Sequence, residues 1–459
     1  MPELPPSDQE FSKWVYQRLD PRPEQPIGPD NDFYVRLYPP DSDHVTFMGK
    51  RILMAGTKSV QMFSGCNGSG KTTELRRLES HLEEIGYLTF RVESTEYLNT
   101  TDPISIVDLL LVLPAALSEA VAKRYGKDFV HEGYTARLWN YLKKTDITLD
   151  EFGINGPADF GGPEFKAKLS TTPSFRQKLH QKLENRLQET KAQSEKFVED
   201  IYKWLTARNP SAKGVVLLFD QLEQIGDTGS RQADVMESVE RLFINHGPML
   251  DWGYLHLVYT VPPWLRHRAP GAVRLEKMLP CVKIRTVPPG TTGGERVEAG
   301  FKALHEILLR RFTDAGLSRF FGEPDSTGER ILLSQLIDAS GGHIRDLLLL
   351  AREAIVRAIT LPIDQNTLDH VFNDIRRQYP VNLEDARWLK LIDETGDDCL
   401  SDNDPKNVAR FIRFLDLHEV LIYSNGEDLY AVHPLVREEV RRVLERAARL
   451  TSPLPPVGK

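Results

Sequence analysis

The chain has 459 residues, of which 40% are hydrophobic, and its formal net charge is −8 at pH 7. That length leaves room for about two to four domains. No run reaches the roughly 18 uninterrupted apolar residues of a membrane span, and the acidic start lacks the basic-then-apolar order of a signal peptide. We therefore expect a cytoplasmic protein that makes no membrane contact. The negative charge argues against wholesale coating of nucleic acid.

Residues 1–32 carry seven prolines in their first 30 positions, around one aromatic segment, Phe11–Leu19, that could form a short helix. We interpret them as an N-terminal arm with little core of its own. The alternation FYVRLY at 33–38 then favours a strand or an extended segment leading into the next domain.

A glycine-rich segment, Ser59–Leu75, contains the pattern G-x-x-x-x-G-K-[ST], in which lysine bridges phosphates and the hydroxyl holds Mg²⁺. An apolar run precedes it and leucines at helical spacing follow it, so a strand, an anion-binding loop and a helix are predicted. We expect ATP or ADP with Mg²⁺. The predicted nucleotide-binding residues are Gly65, Cys66, Asn67, Gly68, Ser69, Gly70, Lys71, Thr72 and Thr73, with Thr72 also a metal ligand.

The three cysteines, Cys66, Cys281 and Cys399, are far apart and show no paired spacing, so neither a disulfide framework nor a zinc site is predicted. Cys66 lies within the phosphate loop, where a lowered thiol pKa could support redox sensing. The simpler alternative is a small, tolerated loop residue.

Residues 87–92 read as a second buried strand, and 104–122 as an apolar helix broken near Pro114. This order of elements is typical of a parallel sheet. Residues 126–213 then read as an insertion, with a turn-rich middle and a long amphipathic helix bent near Ala192. The helix either docks a partner or lies on its own domain.

The apolar run 214–220 predicts a strand that ends at Asp220, a carboxylate suited to hold Mg²⁺ through water. Gln221 follows it, and could orient a water without taking its proton. Glu223 is the candidate catalytic base; the alternative is a surface or helix-cap acid.

A further strand, 254–259, ends at Thr260, whose hydroxyl could contact the terminal phosphate or the attacking water, or could simply cap the strand. Arg268 is the favoured arginine finger of a basic segment, although it could only pair with surface carboxylates. The run 281–287 predicts another strand.

Residues 294–380 read as a helical lid. Arg345 follows the glycine pair 341–342 and lies in the first turn of a leucine-rich helix, where a cation opposes the helix dipole; an outside anion such as a nucleotide phosphate is therefore expected. Residues 381–450 contain two helices, a hairpin signal at Asn425–Gly426 and a basic helix, the pattern of a winged helix. DNA contact through its arginines is possible, but acidic residues interleave with them. The tail, 451–459, is expected to be disordered.

The phosphate loop, Asp220, Thr260, Arg345 and the terminal winged helix, in this order, resemble AAA+ ATPases, in the branch shared by origin-recognition-like proteins and STAND signalling ATPases. The resemblance implies an α/β P-loop NTPase fold: a parallel five-stranded sheet in a core at 33–293, a helical lid and a C-terminal winged helix. It also implies that Thr260 is a first sensor and Arg345 a second. Gln221 departs from the usual catalytic glutamate, and the insertion is also unusual.

The same resemblance implies an ATPase that acts as a regulatory switch and forms ATP-dependent homo-oligomers. No effector module or repeat is recognisable in the sequence, so we expect control of a separately encoded effector protein, in prokaryotic anti-phage defence. The alternatives are a DNA-binding initiator or transposition-type loader, and a non-hydrolysing nucleotide-dependent scaffold.

Overall fold

A computed structural model of the chain describes residues 3–21, 27–99, 101–126, 136, 140–144, 169–224, 232–268, 275–286, 294–400, 404–424 and 428–451. The chain divides into two compact units. We call Pro40–Ser64 with Glu74–Met278 the sheet unit. The lid unit comprises Met1–Pro39, Gly65–Thr73 and Leu279–Lys459. Among the described residues, no helix has both the length and the apolar character needed to cross a membrane.

The α-helices take up most of the described chain. In chain order they are α1 Asp8–Arg18, α2 His44–Met54, α3 Lys71–Glu84, α4 Ile106–Tyr125, α5 Pro173–Leu183, α6 Leu187–Arg208, α7 Gln232–Ile244, α8 Leu265–Arg268, α9 Glu298–Phe312, α10 Asp314–Phe321, α11 Ile331–Ala339, α12 Ile344–Arg357, α13 Gln365–Arg376, α14 Leu383–Thr395, α15 Pro405–Asp416 and α16 Pro434–Thr451.

Five strands form one sheet in the order β2-β3-β4-β1-β5. Their bounds are β1 Ser59–Gly65, β2 Leu88–Glu93, β3 Val215–Asp220, β4 His256–Val261 and β5 Leu275–Leu279. β3 and β4 are buried along their whole length, as expected of parallel strands covered on both faces. The predicted α/β class with a five-stranded parallel sheet is confirmed.

The helix α4 runs without interruption through Pro114, so the predicted break is wrong. Proline removes one hydrogen-bond donor and clashes with the preceding turn, but here almost every residue up to Leu117 is buried, and this packing holds the helix. Ser105 and Asp108 form a capping box at its start.

The helices of the predicted insertion pack on the sheet unit. A short 3₁₀ turn, Glu184–Arg186, separates α5 from α6, so the bend lies there and not near Ala192. The Ser194 hydroxyl donates to the carbonyl of Leu110 at 2.9 Å, and the apolar face of α6 is buried. These contacts favour the alternative in which the helix lies on its own domain. The turn-rich middle of the insertion lies outside the described residues.

One helix of the sheet unit, α2, has no counterpart in the sequence prediction. Buried Asp43 caps it, accepting from the amide of Val45 at 3.0 Å. The same carboxylate accepts two hydrogen bonds from Arg77 of α3, at 2.7 and 2.5 Å. This bidentate pair fastens α2 to the helix that follows the phosphate loop.

The N-terminal segment is part of the core of the lid unit. Phe11, Val15 and Leu19 of α1 are 0% exposed and belong to one hydrophobic cluster with residues of α9–α13. Burying side chains of this size contributes about 1.5–3 kcal/mol each. The predicted short helix is therefore present, and its apolar side packs on the core that α9–α13 form. Residues 33–38 are irregular and form no strand, while Val35 and Leu37 pack against the same cluster.

The fifth strand comes earlier in the chain than the prediction placed it. β5 ends at Leu279, and Pro280, which has no backbone N–H, follows it. In the predicted strand, 281–287, the amide of Cys281 instead donates to Ile422 at 2.8 Å and that of Val282 to Gly342 at 3.0 Å. These two bonds connect the start of the segment to Ile422 and to the glycine pair 341–342, within the lid unit. Val287 itself lies outside the described residues.

The C-terminal part contains α14, α15, an antiparallel pair of strands and α16. The strands are β6 Val420–Ser424 and β7 Asp428–Val432, in register from Val420–Val432 to Ser424–Asp428. The predicted turn at Asn425–Gly426 lies outside the described residues, as do residues 452–459 of the predicted tail. The winged-helix assignment and the domain bounds stay predictions.

A buried carboxylate in this part provides a pH prediction. Glu419 is 0% exposed, its carboxylate oxygens make no hydrogen bond within the described residues, and burial raises its pKa from an ordinary 4.5 to about 7. The folded state therefore holds a proton that the unfolded state releases above pH 4.5. Glu419 stabilises the fold below that pH, and its contribution is lost as the pH rises through 7. Burial also raises the pKa of Asp416, to about 6.

We expect Glu419→Gln to remove up to about 1.4 kcal/mol per pH unit from the pH dependence of the free energy of unfolding between pH 4.5 and 7. The variant should be more stable than the wild type at pH 8. Urea unfolding at pH 5 and pH 8 measures this, with exposed Glu445→Gln as the control. Equal pH slopes in wild type and Glu419→Gln contradict the prediction.

Candidate nucleotide-binding site

The phosphate loop follows β1 and leads directly into α3. The amide of Ser69 donates to the carbonyl of Cys66 at 3.1 Å, which closes a tight turn. Gly68 and Gly70 have φ values of 91° and 98°, in the left-handed region that residues with a side chain adopt at a cost of about 1–2 kcal/mol. Both glycines are thus required by the backbone.

Lys71 lies against this turn instead of extending into solvent. It is 5% exposed, and its Nζ donates to the carbonyls of Gly65 at 3.0 Å and Cys66 at 3.1 Å. A buried ammonium close to the loop backbone is placed to exchange these carbonyls for phosphate oxygens. Thr72 and Thr73 are half-buried in the first turn of α3.

Two residues of the lid unit contact the loop at Asn67. His343 Nε2 lies 2.9 Å from the Asn67 carbonyl, so this nitrogen carries the proton. Arg345 Nη1 donates to Asn67 Oδ1 at 3.2 Å. A Cβ on Gly68 would lie 2.7 Å from Cβ of Arg345 and 3.0 Å from Cε1 of His343. The predicted second sensor, Arg345, and the predicted loop are therefore in contact. The missing side chain of Gly68 leaves room for Arg345.

The loop has the features that a phosphate group requires. Ser69 Oγ is buried and makes no hydrogen bond within the described residues. A buried hydroxyl of this kind is costly unless something bonds to it. The left-handed glycines, the start of a helix and the buried Lys71 complete an anion-binding arrangement. The residues therefore fit a nucleotide phosphate.

The other predicted residues end neighbouring strands of the sheet unit. Asp220 is 0% exposed, and its Oδ1 accepts from the amide of Gln221 at 2.8 Å. Thr260 is also fully buried, and its Oγ1 accepts from the amide of Leu222 at 3.1 Å, which leaves its hydroxyl proton to donate elsewhere. The pairing of Phe219 with Tyr259 places the two residues side by side. Thr260 thus holds the turn that follows Asp220.

Gln221 and Glu223 belong to that turn. Gln221 has φ 66°, a conformation uncommon without glycine, and its Oε1 accepts from the Thr95 hydroxyl at 2.8 Å. Glu223 lies half-buried in the 3₁₀ turn Leu222–Gln224. Strained backbone is frequent at functional sites. Arg268 ends α8, and its side chain lies outside the described part of the chain.

The structure brings together two of the cysteines that are far apart in sequence. Cys66 and Cys281 are both buried free thiols. A hydrogen bond with Cys281 lowers the pKa of Cys66 to about 7, and the charges of His418 and Lys71 act in the same direction. Pairing of these thiols could not be inferred from their spacing, because 215 residues separate positions 66 and 281.

Sequence reasoning also missed the part played by His343. Burial lowers its pKa, which favours the neutral ring that its contact with Asn67 uses. The only available signal was its place between the glycine pair 341–342 and Arg345. A histidine there reads equally well as a helix cap, a role that it also fills.

Comparisons with known proteins show structural similarity alone, since no family model and no curated protein matches the chain. The Aeropyrum pernix ORC2 protein, in ADPNP-ADP complexes, is similar at a TM-score of 0.39 and 12% identity, over 95% of this chain and 98% of that chain. A Walker-type ATPase of Pyrococcus abyssi is similar at a TM-score of 0.37 and 13% identity, over 90% of this chain and 100% of that chain. Cdc6p of Pyrobaculum aerophilum is similar at a TM-score of 0.32 and 12% identity, over 91% of this chain and 98% of that chain.

The chain's own features define its class. It is an α/β protein with a five-stranded parallel sheet, and a glycine-rich loop of the P-loop pattern follows the strand β1.

Proposed function

We propose that this protein binds ATP and acts as a nucleotide-controlled switch of the AAA+ type. The observation that carries the proposal is the contact of His343 and Arg345 with Asn67 in the phosphate loop. Phosphate oxygens compete with Asn67 for the Arg345 guanidinium, because charge-assisted bonds to phosphate are stronger than a bond to a neutral amide. Nucleotide binding therefore changes what α12 contacts.

The nucleotide supplies the phosphoanhydride bond and brings Mg²⁺ with it. Lys71 binds its phosphates, and the loop glycines let backbone amides approach them. Thr72 and Asp220 are the magnesium residues that the sequence pattern assigns. Gln221 orients water and Glu223 accepts its proton. We also propose Arg268 as the arginine finger.

We further propose that the ATP-bound form assembles into a homo-oligomer and controls a separately encoded effector protein in prokaryotic anti-phage defence. Support for this step comes from the resemblance to STAND ATPases described above. A scaffold that binds ATP without hydrolysing it is the alternative, and turnover distinguishes the two.

Glu223→Gln is expected to lower kcat for ATP hydrolysis by about 10²–10⁴-fold, the usual contribution of a general base. ATP binding and ATP-dependent assembly should persist. Phosphate release and sedimentation velocity measure the two properties. Glu237→Gln, which removes an exposed carboxylate paired with Arg241, is the matched control.

A wild-type protein that binds ATP without releasing phosphate supports the scaffold, and equal turnover in wild type and Glu223→Gln excludes Glu223 as the base. A protein that does not bind ATP overturns the proposal as a whole.

We do not propose DNA as the ligand of the C-terminal part. Five of its arginines lie within 4.0 Å of carboxylates: Arg410 with Glu384 and Asp385, Arg413 with Asp385 and Glu419, Arg437 with Asp393, Arg441 with Glu438 and Glu445, and Arg442 with Glu438 and Glu439. These pairs offset the positive charge that a DNA backbone requires.

A further inference from the structure

Imidazole nitrogens from three histidines surround one carboxylate of the lid unit, Asp346. Asp346 Oδ2 lies 2.8 Å from His343 Nδ1, 3.3 Å from His418 Nδ1 and 3.6 Å from His433 Nε2. We call His343, Asp346 and His418 the imidazole–carboxylate cluster. Its three ligand atoms all lie within 4.8 Å of one another.

The hydrogen bonding around the cluster is incomplete although the groups are buried. The side chains of His343 and His433 are 0% and 1% exposed, and those of Asp346 and His418 are each 14% exposed. Within the described residues, neither Asp346 Oδ2 nor His433 Nε2 makes a hydrogen bond. Native proteins rarely leave buried polar atoms in this condition, and an ion is one of the standard explanations.

The separations match a metal site in size. Zinc binds imidazole nitrogen and carboxylate oxygen at about 2.0–2.2 Å with tetrahedral angles, which puts neighbouring ligand atoms about 3.4 Å apart. The two Nδ1 atoms lie 2.8 and 3.3 Å from Asp346 Oδ2, so a small displacement of His343 would admit an ion. His343 Nδ1 also accepts a long bond of 3.4 Å from the amide of Asp346.

Separate elements of the lid unit present these side chains. His343 caps α12 and Asp346 lies three residues later, so both face the same side of the first turn. His418 precedes β6 and has φ 56°, a left-handed conformation uncommon for a residue other than glycine. His433 stands between β7 and α16.

We propose that the cluster binds a divalent transition-metal ion of the Zn²⁺ type. His343 Nδ1, His418 Nδ1 and an oxygen of Asp346 are its protein ligands, and water takes the fourth position. Two imidazoles and one carboxylate suit a borderline-soft ion, whereas Mg²⁺ and Ca²⁺ prefer oxygen. His433 Nε2 lies beside the ligating carboxylate, 3.6 Å from Asp346 Oδ2. The partial exposure of Asp346 and His418 provides the entry path.

The site has a structural consequence for the phosphate loop. When Nδ1 of His343 binds metal, Nε2 must carry the ring proton, and Nε2 is the atom that contacts the Asn67 carbonyl at 2.9 Å. The metal thus fixes the tautomer with the proton on Nε2, which the contact with Asn67 requires. Metal-bound histidines commonly donate their other ring N–H to a backbone carbonyl in this way. It also fastens the start of α12 to the segment before β6.

The test uses the full chain without a histidine tag and without nucleotide. Chelator-treated protein is titrated with Zn²⁺ in competition with a chromophoric chelator, and Co²⁺ loading reports tetrahedral nitrogen–oxygen coordination in its visible spectrum. Asp346→Asn keeps the shape of the side chain, and His418→Ala removes one ligand. His370→Ala, at an exposed position of α13, is the matched control. Circular dichroism checks that each variant folds.

We expect the wild type and His370→Ala to bind one equivalent of Zn²⁺. Substitutions outside the ligand shell commonly weaken binding 10–100-fold, so the loss of a ligand should weaken it by about 100-fold or more. The proposal is overturned if the folded wild type takes up no Zn²⁺ at micromolar free metal, or if both cluster variants bind it as tightly as the wild type. Displacement of Zn²⁺ by millimolar Mg²⁺ likewise overturns it.

Discussion

Lys71→Ala is expected to weaken ATP binding by at least about 100-fold. The ammonium is buried against the loop, where its bonds to the carbonyls of Gly65 and Cys66 hold it in place. Each charge-assisted bond to a phosphate oxygen contributes about 1.5–3 kcal/mol. Two such bonds correspond to a factor of 100 or more in the dissociation constant.

Titration calorimetry with ATP and Mg²⁺ measures this effect. Lys58→Ala is the control, because Lys58 is half-exposed and pairs with Asp251 at the surface of the sheet unit. Its affinity for ATP should match the wild type. If Lys71→Ala folds and binds ATP within threefold of the wild type, the loop is not the phosphate site and the proposed function fails with it.

Gly68→Ala should destabilise the lid unit by about 3 kcal/mol, and it tests the contact between the loop and α12. A new Cβ incurs the left-handed backbone cost of about 1–2 kcal/mol and lies 2.7 Å from Cβ of Arg345. The Arg345 atom adjoins the backbone, so no rotamer change relieves the overlap. Overpacking of this kind adds about 1–3 kcal/mol.

The chain offers a control that separates the two costs. Gly56 also has a left-handed φ, +76°, but an added Cβ there meets nothing within 4 Å. Gly56→Ala should therefore lose only the backbone cost, about 1–2 kcal/mol. Urea unfolding compares the variants, and hydrogen exchange at 343–346 should be faster in Gly68→Ala alone. Equal losses in both variants contradict the close approach of Arg345 to the loop.

Elements that depend on residues close by in the sequence could be predicted. The strand ending at Asp220 is a continuous apolar run, and Leu75, Leu78 and Leu82 repeat at the helical period. The loop depends on glycines at fixed spacing, so its conformation follows from residue type. Arg345 was singled out because a cation in the first turn of a helix opposes the helix dipole, and its role as a sensor stays a prediction.

Elements whose formation depends on distant partners were missed or misplaced. Helix α2 is capped by Asp43, whose second partner, Arg77, lies 34 residues away. The strand predicted at 281–287 has the right apolar pattern, but its first amides bond to Ile422 and Gly342. Phe11, Val15 and Leu19 looked like an isolated segment because the helices that bury them follow some 280 or more residues later.

By itself, the sequence determined the glycine-rich loop of the P-loop pattern, its lysine and the buried strands β1 and β3, because each depends on neighbours a few residues away. Only the tertiary structure decided that Arg345 and His343 contact Asn67, and that ligand atoms of His343, Asp346 and His418 lie within 4.8 Å of one another. Position 418 is 72 residues from position 346, and no local pattern encodes a contact at that separation. Long-range packing of the lid unit brings these side chains together, and their chemistry follows from that proximity.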